Sequence, residues 1–157
     1  DMEERILKML DYAVASFHTP CISPGSIAEN TMAARKVMEN PYVIILGHPD
    51  DGRFPLDYEE IVKGSKETGA ILELNNSSLH PESFRQNAFE NDRILLKLCM
   101  KHQVPIVVDS DAHVDIEVGN HAYAQKIMEE VGFPEELVLN NRPEEMKKRI
   151  LNKKAGL

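Results

Sequence analysis

The sequence contains no tryptophan and few cysteines, and it has no long apolar run. The two cysteines, Cys21 and Cys99, lack metal-type spacing and do not resemble a disulfide framework. The longest apolar runs, such as residues 42–46 and 106–108, are far shorter than the ~20 residues that cross a bilayer. The acidic first residues lack the apolar core of a secretory signal, so we expect a cytoplasmic protein that does not bind membranes.

Positive charge is also scarce. Eighteen Lys and Arg against twenty-six Asp and Glu leave a net charge of −8, and the chain has no basic stripe. Such a chain is a poor electrostatic partner for nucleic acid. Apolar residues make up 42% of the sequence and charged residues 28%, proportions that are typical of a globular protein. Because no linker or internal repeat interrupts the pattern, we predict a single domain over residues 1–157.

Short apolar runs alternate with amphipathic segments along the chain. The runs are continuous and partly β-branched, which predicts parallel strands buried on both faces. Five strands are expected, at residues 12–17, 42–46, 70–74, 105–109 and 137–139. Five helices are expected, at residues 26 to about 40, 58–67, 81 to about 102, 117–131 and from 143 onward, the first opening on a capping box of Ser26 and Glu29. This order predicts an α/β fold of parallel βαβ units, either a small open sheet or part of a barrel.

Polar residues gather where four of these strands end. The carboxyl ends of parallel strands meet at one edge of a sheet, so we expect these segments to form one site. The segments are Phe17-His18-Thr19-Pro20, Gly47-His48-Pro49, Glu73-Leu74-Asn75-Asn76-Ser77-Ser78 and Ser110-Asp111-Ala112-His113.

Three residues of these segments are candidate metal ligands. Asp111 and His113 are two positions apart, so in extended backbone both side chains project to the same side. A carboxylate and an imidazole on one side can form half of a zinc, manganese or iron site. The alternative is a turn aspartate followed by a surface histidine. His18 directly follows the first strand, and it is either a third ligand or a capped structural histidine.

Three further residues are candidates for substrate or phosphate binding. His48 follows Gly47, which permits a close backbone approach, and Arg53 offers a planar set of donors that matches phosphate. Alternatively, the residues between them form only a turn and Arg53 is a solvated side chain. Asn75 supplies an amide for substrate contact, or it belongs to a capped loop before the next helix. No Ser or Cys has a plausible base in its sequence context, so no residue is assigned as a catalytic nucleophile.

The four strand-end segments resemble, in order and approximate spacing, the C-terminal half of the PHP (polymerase and histidinol phosphatase) superfamily. The likeness is greatest to its stand-alone phosphoesterases and runs from about residue 11 to residue 150. The resemblance implies a distorted seven-stranded (β/α) barrel, a TIM-like barrel, with up to three divalent zinc, manganese or iron ions at its C-terminal mouth. It also implies hydrolysis of a small phosphorylated substrate by a metal-activated hydroxide. By this likeness His18, Asp111 and His113 fall on metal-ligand positions, and His48 falls near the site.

The sequence departs from the family pattern in its first half. The H-x-H strand, the further histidines and the bridging glutamate of the family are absent. We therefore expect the N-terminal strands of the barrel to be missing, the isolated chain to be inactive, and the chain to self-associate or to require the missing half. Two alternatives stay open: a non-catalytic remnant that binds a metal or an anion, and a PHP domain that acts on nucleic-acid ends. The net charge argues against the second alternative.

Overall fold

A four-stranded parallel sheet with helices on both faces forms the core of the computed structural model, which describes residues 2–156. The strand order follows the sequence, and each strand pairs in parallel with the next. The strands are β1 (Ala13–Ala15), β2 (Val43–Leu46), β3 (Ile71–Asn75) and β4 (Ile106–Asp109). The helices are α1 (Glu4–Leu7), α2 (Ile27–Met38), α3 (Tyr58–Thr68), α4 (Ala88–His102), α5 (Ala122–Val131) and α6 (Pro143–Ala155). The predicted α/β class with parallel βαβ units is confirmed.

One face of the sheet packs against the layer of helices α2 to α5. Successive side chains of a strand point to opposite faces, and in β3 the side chains of Leu72 and Leu74 enter this layer. They pack in one apolar core with residues of all four helices, including Met38, Ile61, Leu95 and Ile127. α2 opens on the predicted capping box, in which the Glu29 amide donates to the Ser26 hydroxyl and the Ser26 amide donates to the Glu29 carboxylate.

The opposite face of the sheet is apolar at one end and polar at the other. Toward the amino ends of the strands it carries Ile71 and Val107, which are covered by Met146 and Ile150 of α6. Toward the carboxyl ends the same face carries Glu73 and Asn75, and both of these residues are buried. The polar residues predicted from the strand ends therefore lie beside a polar interior surface of the sheet.

The predicted strand at residues 137–139 is wrong. Only Val138 makes a bridge to Ile106, and this bridge lies between the 3-10 turns Glu135–Leu137 and Leu139–Asn141. The reason is the Asn140 side chain, which accepts from the Val108 amide at 2.8 Å and donates to the Val108 carbonyl at 2.7 Å. A side chain thus satisfies the edge of β4 that a fifth strand would have paired with.

Two predicted helices begin later than expected. α4 begins at Ala88 instead of Pro81, because Asn87 adopts a left-handed conformation with φ of 54° that a continuous helix does not permit. α5 begins at Ala122 instead of Glu117, after a 3-10 turn and Gly119 with φ of 77°. None of the helices in the described part of the chain has the length and apolar character that crossing a bilayer requires.

Candidate functional site

Two histidines from neighbouring strand ends meet at the carboxyl edge of the sheet. The Nε2 atoms of His18 and His48 are 3.3 Å apart, and the two rings meet edge to face with centroids 4.8 Å apart. The Ser16 hydroxyl lies 2.9 Å from the same His18 nitrogen. The fold therefore brings one ring nitrogen of each imidazole into contact, although 30 residues separate the two histidines in the sequence.

The backbone at Gly47 and His48 is shaped by close packing. A Cβ atom at position 47 would lie 3.0 Å from the Val14 side chain, so only glycine lets β1 and β2 approach this closely. His48 itself has φ of 32°, an uncommon conformation for a residue with a side chain. In this conformation its amide donates to the Glu73 carboxylate at 2.5 Å. The strained backbone thus fixes the imidazole above the polar end of β3.

Glu73 is a buried acid at the centre of the polar surface. Its pKa is raised to about 7, mainly by burial and also by the nearby carboxylates of Asp109 and Asp111, whereas hydrogen bonds from His48 and Asn75 oppose the rise. Burial also raises the pKa of Asp109. Because like-charged carboxylates share this surface, the site attracts positive charge.

Asp111 forms an ion pair with Arg85. Arg85 donates to its carboxylate at 2.9 Å, and the Asn75 amide donates to the same oxygen at 3.1 Å. Burial works against ionisation of Asp111, but these hydrogen bonds outweigh it and lower the pKa. Asp111 also has φ of 50°, so a strained residue again lies directly at the site.

Arg85 is the basic residue around which these groups are arranged. Only 5% of its side chain is exposed. The guanidinium donates to the side-chain Oδ1 atom of Asn75 at 3.2 Å and to the Ser78 hydroxyl at 3.0 Å. Burial is the main cause of the low pKa of His48, about 4, and the charge of Arg85 is the second cause. His48 is therefore neutral near pH 7, the protonation state in which an imidazole binds metal.

His113 lies on the same rim but remains exposed to solvent. Its Nδ1 is 2.9 Å from the Asp111 carbonyl oxygen. A carbonyl only accepts, so Nδ1 carries the proton and Nε2 keeps its lone pair. The imidazole is thus held in the tautomer that can bind a metal through Nε2.

Two further acids lie buried behind the rim. Asp50 and Asp92 have no exposed surface, and their carboxylate oxygens have no hydrogen-bond partner among the described residues. Burial raises the pKa of Asp50 to about 6 and the pKa of Asp92 well above its ordinary value, while Arg85 lowers both. Arg85 is therefore the countercharge for several acids at once.

The structure brings most of the predicted site residues together. His18 and His48 are in contact, Asn75 and Asp111 are hydrogen-bonded, and His113 follows on the same loop. Arg53 differs, because its guanidinium forms a bidentate pair with Asp51 and lies 4.8 Å from the centroid of the Phe84 ring. Within residues 2–156, no three His, Cys, Asp or Glu side chains are close enough together to hold a metal ion.

Sequence reasoning assigned no role to two residues of the site, Glu73, which stands in the third strand-end segment, and Arg85. Glu73 had a usable signal, because a lone charged residue interrupts the otherwise apolar run of β3 and side chains there face a buried layer. Arg85 had none, since it lies in an irregular loop between the 3-10 turn Ser77–Leu79 and α4.

The chain is similar in sequence to several longer bacterial proteins. No family model matches the chain. Three bacterial relatives carry the name "probable phosphatase": one from Clostridium novyi is 44% identical over 89% of this chain, one from Clostridium botulinum strain Hall is 42% identical over 98%, and one from Acetivibrio thermocellus is 42% identical over 100%. These alignments cover 57%, 62% and 64% of the respective relatives. The chain thus spans about three fifths of the length of the curated relatives that it matches.

Proposed function

We propose that this chain forms part of a metal-dependent phosphatase of the PHP type, which hydrolyses phosphomonoesters. The observation that carries the proposal is the convergence of the His18 and His48 Nε2 atoms beside Asp111 and Arg85 at the strand ends. The names of the relatives support a phosphatase, and the all-parallel sheet is compatible with a segment of a barrel.

The residues present fit a divalent metal ion. Two nitrogen ligands of a tetrahedral ion with bonds of about 2.0–2.1 Å stand roughly 3.3 Å apart, which matches the separation of the His18 and His48 nitrogens. Asp111 and His113 are further candidate ligands at a neighbouring strand end, but among residues 2–156 they do not lie close enough to both histidines to hold the same ion. When bound, a divalent metal lowers the pKa of water and polarises a phosphoryl oxygen.

Arg85 and Asn75 are the groups that would bind the phosphate. Both are donors held beside Asp111, and a guanidinium offers two parallel N–H groups to two phosphate oxygens. In the reaction, a water oxygen forms a bond to phosphorus and the bond from phosphorus to the alcohol oxygen breaks. The alcohol leaves with a proton, and inorganic phosphate remains at Arg85.

The chain by itself does not complete this site. Catalytic zinc usually has three protein ligands, and no three candidate ligands converge among residues 2–156. The longer relatives have room for the remaining ligands in the part that this chain does not match. We therefore expect the 157-residue chain to bind Mn²⁺ weakly and to be inactive, and the complete protein to be active.

Calorimetric titration of the 157-residue chain with Mn²⁺ tests the metal site. The His48→Gln variant should lose at least about tenfold in affinity, because even residues that only orient a ligand are worth that much. The matched control is His102→Gln, whose imidazole contacts Glu59 of α3. Unchanged Mn²⁺ affinity in His48→Gln would contradict the site. Binding without any hydrolysis by the complete protein would favour the non-catalytic remnant.

A further inference from the structure

A cavity of about 280 Å³ lies next to the candidate site. It is bounded by the loop that follows β3 and the loop that follows β4. Three of its lining residues are direct neighbours of site residues in the chain: Asn76 follows Asn75, Phe84 precedes Arg85, and Ser110 precedes Asp111. A phosphate held by Arg85 and Asn75 would therefore have the rest of its molecule beside this cavity.

Several side chains of the cavity have their acceptor atoms occupied by the backbone. The Asn76 Oδ1 atom accepts from the Tyr123 and Ala124 amides at 2.9 and 3.0 Å, and the Asn120 Oδ1 atom accepts from the Ala122 amide at 3.2 Å. His80 Nδ1 accepts from the Glu82 amide at 3.1 Å, which places the ring proton on Nε2. These three side chains therefore offer a ligand N–H donors, namely the two amide NH₂ groups and the His80 Nε2–H.

The charges of the cavity restrict its ligand further. Glu82 and Glu117 line it, and none of the described residues that line it is Lys or Arg. A second phosphate or a carboxylate is therefore disfavoured, whereas a hydroxyl group suits the cavity because it accepts from the amides and donates to the carboxylates. The rings of Phe84 and Tyr123 add flat apolar surface, with His80 packed edge to face on Tyr123 at 5.3 Å.

We propose that this cavity binds the alcohol part of the phosphoester, and that this part is a neutral ring rich in hydroxyl groups, of the size of one monosaccharide. The size follows from the volume of about 280 Å³, which lies just below the range of about 300–1,000 Å³ for ligand pockets. This proposal rests on the proposed phosphatase function. It names the substrate class as the phosphomonoester of a monosaccharide.

The test compares three phosphomonoesters with the complete protein that contains this chain, in the presence of Mn²⁺. Glucose 6-phosphate carries a hydroxylated ring, and cyclohexylmethyl phosphate carries a ring of similar shape without hydroxyls. Hydrolysis of p-nitrophenyl phosphate measures the phosphatase activity itself. We expect kcat/KM for glucose 6-phosphate to exceed that for cyclohexylmethyl phosphate at least tenfold.

Asn120→Asp keeps the oxygen that accepts from Ala122 and removes the NH₂ donor. In this variant the ratio of the two kcat/KM values should fall at least threefold, and Ser77→Ala, which removes another polar group of the lining, should also lower it. Asn152→Asp, on the exposed surface of α6, is the matched control and should leave the ratio unchanged. A parent ratio below ten, or a ratio that neither variant lowers, overturns the cavity proposal while p-nitrophenyl phosphate is still hydrolysed. Absence of hydrolysis of all three esters overturns the phosphatase function itself.

Discussion

Arg85 is the residue on which the site depends, because one guanidinium serves several acids. It is bonded to Asp111, and it lowers the pKa of both Asp50 and Asp92. A charge pair that is partly shielded from water is costly to break, since the remaining partner keeps its desolvation penalty. Arg85 thus links the stability of the loop before α4 to the phosphate-binding role proposed for it.

Arg85→Met should destabilise the chain by about 1–3 kcal/mol, because it removes charged hydrogen bonds and leaves acids without a countercharge. Urea unfolding measures the change. The control is Arg5→Met, which removes an ion pair with Glu3 in which both side chains are exposed. It should change the free energy of unfolding by less than about 0.5 kcal/mol. Equal stability of Arg85→Met and the parent would contradict the role of Arg85 as a countercharge.

Asp92 gives a prediction about pH. Burial, together with Asp50 and Glu73, raises its pKa in the folded state well above the ordinary value of 3.8. At a pH below 3.8 the carboxyl group is protonated in both the folded and the unfolded state, so the raised pKa does not change the free energy of unfolding. As the pH rises above 3.8, the unfolded state releases the proton more readily and the folded state loses stability. Asn is neutral throughout, so the melting temperature of Asp92→Asn should rise relative to the parent as pH increases from 5 to about 8.

The control for this pH series is Asp115→Asn, at an exposed position of the loop after β4. Its difference from the parent should be the same at every pH. If the Asp92→Asn difference is equally flat, Asp92 does not carry a shifted charge in the folded state.

The positions of the site residues were predictable where they depended on strand ends. His18, His48 and Asp111 lie two or three residues after apolar strands, and parallel strands bring their carboxyl ends to one edge. Arg85 was not predictable, because it lies in an irregular loop that has no periodic pattern. Asp92 lies at helical spacing from Ala88 and Leu95 on the buried face of α4, so its position had a signal, although a carboxylate is not expected in a buried layer.

At the scale of elements, Lys153 connects three helices. Its ammonium group is buried, and it donates to the Met38 carbonyl of α2 at 2.5 Å and to the Thr68 carbonyl of α3 at 3.2 Å. These carbonyls lie at helix C-termini, where unpaired acceptors and the helix dipole favour a cation. Lys153 therefore holds α6 on the sheet face that bears Ile71 and Val107.

Lys153→Met keeps the apolar stem but removes both hydrogen bonds, and we expect a loss of about 1–2 kcal/mol in the free energy of unfolding. Lys147→Met is the matched control, because Lys147 is exposed on the same helix and pairs with the exposed Glu144. A loss in Lys147→Met as large as that in Lys153→Met would show that the effect belongs to α6 in general.

The elements themselves show which parts of a fold local sequence determines. The start of α2 was predictable, because the capping box of Ser26 and Glu29 is a local signal. The absence of a fifth strand was not, because it depends on Asn140 bonding to Val108, 32 residues away. The late start of α4 likewise depends on a left-handed Asn87 that no breaker residue announces.

At the scale of the whole molecule, β1 is an edge strand of the sheet and is only partly covered. The Val14 side chain of this edge strand is 51% exposed, and an exposed edge is a surface on which another strand can pair. The chain matches only 57–64% of the length of its relatives, and we propose that β1 pairs with part of the remainder in the complete protein.

For the isolated chain this edge predicts self-association, measured by sedimentation over a series of concentrations. Val14→Lys should shift the chain toward monomer, since a charge on an edge strand opposes pairing. Met32→Lys places the same charge on an exposed position of α2 and should not have this effect. A chain that is monomeric at all concentrations would argue against pairing through β1.

The central claim is that the residues at the strand ends, His18, His48 and Asp111, belong to the site of a metal-dependent phosphatase. The most direct test is hydrolysis of p-nitrophenyl phosphate by the complete protein. We predict hydrolysis that requires Mn²⁺ or Zn²⁺, that falls at least about a hundredfold in Asp111→Ala, and that is unchanged in the exposed loop variant Asp115→Ala. Turnover that needs no metal, or that survives Asp111→Ala, would contradict the account.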